Sequence, residues 1–149
     1  MMKHFLVAMT VALFALVPAA RSQVTVNIGE GTLKPTPIAI PEFKVTGAND
    51  AIARQITDVV RSDLMSTGLF TITPESAYIQ RDLSIDVQPR FADWKIIKTD
   101  NLVVGEVDTV SIEGVEFIRA SVRLWDVYGE EVMRLEGQPG RRFTAKPED

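Results

Sequence analysis

Leu102-Val103-Val104-Gly105-Glu106-Val107-Asp108-Thr109-Val110, then Ser111-Ile112-Glu113-Gly114, then Val115-Glu116-Phe117-Ile118-Arg119-Ala120-Ser121-Val122-Arg123-Leu124-Trp125, is the stretch that decides the fold. Two β-rich runs joined by a short connection that ends in glycine read as an antiparallel hairpin. In the second run Ile118, Ala120, Val122 and Leu124 fall on one side, and Arg119, Ser121, Arg123 and Trp125 on the other. A strand changes face at every residue, so this hairpin has one core face and one mixed face. A second connection, Asp126-Val127-Tyr128-Gly129, leads to a further strand predicted over Glu131 to Leu135.

Upstream of the hairpin the period changes. From about Asn49 to Thr67 the apolar residues Ile52, Ile56, Val59, Val60 and Leu64 recur at three- and four-residue spacing, while Arg54, Asp58, Arg61 and Ser62 fall mostly off that stripe. This is an amphipathic helix, with Asn49 as its cap, Asp50 at the favourable end of its dipole, and Gly68 as its left-handed stop. Leu69-Phe70-Thr71-Ile72 leaves it as an extended segment, and Ile38-Ala39-Ile40, closed by Pro41-Glu42-Phe43, reads as a short buried strand. Between Ser76 and Pro89 a surface loop is expected, with a strand-like piece around Leu83 to Val87, followed by two helical turns around Trp94. The chain ends in Arg141-Arg142-Phe143-Thr144-Ala145-Lys146-Pro147-Glu148-Asp149 without a second amphipathic helix, and Pro147-Glu148-Asp149 looks like a helix about to begin. The reading is therefore a truncated domain.

The start of the chain is a different kind of segment. Residues 1–22 have Lys3, an apolar run from Phe5 to Val17, then Pro18 and small residues, the pattern of a cleaved secretory leader. Cleavage after Ser22, with cleavage after Ala20 as a close competitor, removes His4, the one histidine, and the sequence has no cysteine. Residues 23–149 then form one domain, without thiol or imidazole nucleophiles, zinc sites of the usual kind, or disulfides. No cofactor is expected. The net charge of −4 becomes −6, because Lys3 and Arg21 leave with the leader and no acid does. Such a charge argues against nucleic acid.

Individual residues offer few chemical leads. Asp63, Glu106, Asp108 and Glu113 raise a general acid/base reading, but nothing in their spacing fixes two at a catalytic separation. Asp126 to Gly129 lacks the oxygen-ligand density of a calcium loop, and Gly29, Gly31 and Gly105 are not followed by the lysine and serine of a phosphate loop. Arg119, Arg123 and Trp125 share a strand face and are a candidate second interface. Gln23-Val24-Thr25-Val26-Asn27-Ile28 alternates well enough either to pair at home as an edge strand or to add to a partner's sheet.

Several segments together resemble the TolB amino-terminal domain family of the periplasmic Tol-Pal system. They are the leader followed by Gln23 to Ile28, then Pro37-Ile38-Ala39-Ile40-Pro41-Glu42-Phe43, Asp63-Leu64-Met65-Ser66-Thr67-Gly68-Leu69-Phe70, Trp94 ahead of Asp100-Asn101-Leu102-Val103-Val104-Gly105-Glu106-Val107, and Val122-Arg123-Leu124-Trp125-Asp126-Val127. Lys98-Thr99-Asp100 departs from the glycine-alanine-aspartate run usual in that family. The resemblance implies an α/β (α+β) fold, with a mixed, largely antiparallel sheet of about five strands packed by helix on one face, similar to the anticodon-binding domains of some tRNA synthetases. It also implies a non-enzymatic interaction domain that supports outer-membrane integrity and constriction in cell division. The family's second helix and C-terminal β-propeller are missing here, and Pal docks on that propeller. TolA would bind the segment after the leader: Gln23, Val24, Thr25, Val26, Asn27, Ile28 and Gly29. From the residues alone, a small exported carboxylate-dependent hydrolase and a small-ligand carrier stay open as alternatives.

Overall fold

A computed structural model describes residues 34–47 and 50–147. The leader, the Gln23 to Ile28 strand, the Asn49 cap and the last two residues of the chain lie outside them. The hairpin is the spine: β4 (Asn101–Ile112) and β5 (Val115–Asp126) pair antiparallel along their whole length, Asn101 opposite Asp126 and Ile112 opposite Val115. Both residues of the two-residue loop have positive φ, 54° at Glu113 and 80° at Gly114. That is the requirement of the turn whose twist matches a hairpin.

Because each long strand fills one edge of the other, all remaining strands sit on the two outer edges. β1 (Thr36–Ala39) and β2 (Lys44–Thr46) both lie parallel on the free edge of β4, and β3 (Phe70–Ile72) pairs parallel outside β1. β6 (Glu131–Val132) and β7 (Arg141–Ala145) share the free edge of β5, both antiparallel. Seven strands thus occupy five positions, which gives the mixed sheet of about five strands expected from the sequence. The strand expected to reach Leu135 stops at Val132, and β7 falls in the tail, for which the sequence reading named no strand.

Pro37 sits inside β1 although that strand has neighbours on both sides. Its carbonyl accepts Asp100 N–H on the β4 side, so its missing donor points the same way, at the place where β4 is only beginning. The break between β1 and β2 is closed by side chains from other elements. Ile40 N–H donates to the Tyr78 hydroxyl at 3.1 Å, Ile40 carbonyl accepts both Nε and Nη2 of Arg61 at 3.0 and 2.6 Å, and Phe43 N–H donates to Thr57 Oγ1 at 3.1 Å. Buried backbone groups need such partners once a ladder is interrupted. Burial pushes the Tyr78 phenol above its ordinary range, against the smaller effect of its bond from Ile40.

The helix α1 (Asp50–Ser66) ends at Gly68, whose φ is 69°, as the sequence predicts. Ile56, Val60 and Leu64 of the predicted stripe pack against the core, joined by the buried Ala53 and Thr57, while Val59 turns out of it and is 53% exposed. Arg61, expected off the stripe, turns inward to the Ile40 carbonyl. α1 covers the sheet face bearing Ile38, Val103 and Val107, with Ile118, Ala120, Val122 and Leu124 half-buried at its margin.

Part of the opposite face is covered as well. The short helix α2 (Phe91–Ile96) brings Trp94, 1% exposed, against Leu102 and Val104, while Phe91 meets Trp125 edge-on at 5.8 Å between ring centres. Gln80 ties this layer together, its Oε1 accepting Trp94 Nε1 at 3.1 Å and Arg90 N–H at 2.8 Å. Leu83 to Val87, expected to be strand-like, is a turn closed by Val87 N–H to the Ser84 carbonyl; Leu83 is buried in this layer.

Candidate functional site

Alternation along the hairpin divides the α2 face into two zones. Leu102, Val104 and Trp125 lie under α2, whereas Glu106, Asp108, Arg119, Ser121 and Arg123 continue the same face beyond it. β7 extends that polar zone: Arg142 stands opposite Ser121 and Thr144 opposite Arg119. One row across the sheet is therefore Glu106, Ser121, Arg142, and the next is Asp108, Arg119, Thr144. A cleft of about 360 Å³ opens over these rows, bounded by Ile85 and Asp86 on one side and by Gln138 to Arg142 on the other.

Gly140 lets the two sides approach. A β-carbon there would lie 2.6 Å from the Val122 carbonyl oxygen and 3.0 Å from Arg123 Cγ, so only glycine brings the chain leading into β7 this close to β5.

Four arginines, at 119, 123, 141 and 142, line the cleft with three acids, Asp86, Glu106 and Asp108. Asp108 and Arg119 form a two-point pair, with Arg119 Nε donating to Oδ1 at 2.8 Å and Nη2 to Oδ2. This bond holds the Asp108 carboxyl below the usual carboxylate range, helped by the charge of Arg142, and it raises Arg119 in turn. Glu106 accepts a hydrogen bond from Thr46 Oγ1 at 2.8 Å. Arg123 reaches Asp86 only at 3.4 Å, and the Asp86 side chain is 82% exposed. Arg141 pairs with Glu136 at 3.0 Å. Among the described residues, Arg142 has no ion pair and Ser121 has no side-chain hydrogen bond.

The residues singled out in the sequence separate in space. Arg119 and Arg123 face the cleft, but Trp125 is 8% exposed and packs on Phe91, so its ring belongs to the core. Asp63 is exposed on α1 and Glu113 sits at the hairpin tip, far along the strand from Glu106 and Asp108. An ionised, arginine-held Asp108 is the opposite of a proton donor. Asp126 Oδ1 accepts Gly129 N–H at 2.8 Å, making the turn expected there. Gly105 receives the Phe43 ring, whose atoms would lie 2.4 Å from an added β-carbon. Gln23 to Gly29 lie outside the described residues. The role of Arg142 in the cleft was not visible in the sequence, because β7 itself was not.

An open mixed sheet with one long helix on one face and a short helical layer on part of the other defines a small α+β domain whose accessible features are strand edges and a charged cleft. No described helix is long and apolar enough to cross a membrane. The chain belongs to the TolB amino-terminal domain family, whose model matches residues 24–133. It is 36% identical over 146 residues to the Tol-Pal system protein TolB of Paramagnetospirillum magneticum, a match covering 97% of this chain and 31% of that protein. The chain thus spans about a third of that relative's length.

Among solved structures, TolB from Acinetobacter baumannii superposes with a TM-score of 0.55 at 18% identity, over 76% of this chain and 24% of that one. The C-terminal domain of LpoB from Salmonella enterica gives 0.53 at 11% identity, over 79% and 87%. At these identities the likeness is one of fold, and it agrees with the α+β architecture expected from the sequence.

Proposed function

We propose that this chain is a protein-interaction domain of the Tol-Pal system that works in the periplasm by equilibrium binding rather than catalysis. The observation that carries this reading is the family match over residues 24–133 together with a relative described as a Tol-Pal system protein. In this reading Gln23 to Gly29 forms the contact with TolA: the backbone adds as a strand to a partner's sheet edge, and Val24, Val26 and Ile28 set the register. The domain thereby supports outer-membrane integrity and constriction during cell division. In this reading contact with Pal is made by the family's propeller rather than by this domain. The arginine-held Asp108 and the charged lining of the cleft weigh against the hydrolase and carrier readings.

Titrating the soluble part of TolA against the chain starting at Gln23 and against one starting at Glu30 tests this directly. Loss of binding with an unchanged circular dichroism spectrum is expected. Equal affinity for the two forms overturns the assignment of the segment.

A further inference from the structure

No further inference is drawn: the strongest candidate, the charged cleft on the α2 face beside β7, is balanced within itself, its three acids answering three of its four arginines while the fourth, Arg141, pairs with Glu136, and nothing in the structure shows what covers it.

Discussion

Tyr78 shows how much a single side chain carries in this fold. Its hydroxyl accepts Ile40 N–H at 3.1 Å and donates to the Thr73 carbonyl at 2.9 Å, bridging the break after β1 to the end of β3. Tyr78→Phe keeps the ring on Trp94 but leaves a buried donor and acceptor unmatched, so urea denaturation is expected to show a loss of about 1–3 kcal/mol. Asp108 makes a prediction of a different kind. Its pKa is lowered by Arg119, so the unfolded chain takes up its proton first as pH falls, and the stabilisation is present above the ordinary aspartate range. It fades from that range downward through the lowered value. The stability gap between wild type and Asp108→Asn should therefore be wide at about pH 7 and narrow at about pH 3, measured by urea midpoints at each. At this scale the sequence placed Arg119 and Arg123 on the correct face, but it could not separate Trp125 from them. Alternation names a face, not which part of that face a distant helix covers.

Two elements depend on backbone geometry that only certain residues tolerate. Phe43 stacks on Gly105 in the middle of β4, where a β-carbon would lie 2.4 Å from the ring. Gly105→Ala must displace a fully packed aromatic side chain, and overpacking of this kind costs about 1–3 kcal/mol, readable as a lowered melting temperature. At the hairpin tip the opposite holds: Glu113 has φ 54° without the glycine or asparagine that such a position favours. Glu113→Asn should stabilise the domain by up to about 1 kcal/mol in the same measurement. The hairpin was legible because its alternation is long and regular, and α1 because its apolar spacing and Gly68 agree. β7 was not, since Arg141-Arg142-Phe143-Thr144-Ala145 is an exposed edge strand whose stability comes from pairing with β5 rather than from a buried face. Leu83, Ile85 and Val87 mimic strand alternation, yet that segment forms a turn, and Leu83 instead joins the Trp94 layer.

For the whole molecule, the sequence led to the family before the structure did, because ordered segments distributed along the chain carry more information than any one of them. The architecture then explains why binding rather than chemistry is the stronger reading. Its acids are spread along one strand face or held by arginine, its clefts are lined by charged groups, and its unused features are strand edges. The central claim is that TolA is engaged by Gln23 to Gly29 and not by the folded sheet. A free peptide of sequence Gln-Val-Thr-Val-Asn-Ile-Gly tests it most directly by competition, with the soluble part of TolA bound to the fluorescently labelled chain. Complete displacement of the chain at saturating peptide is expected. A complex that persists at saturating peptide would contradict it.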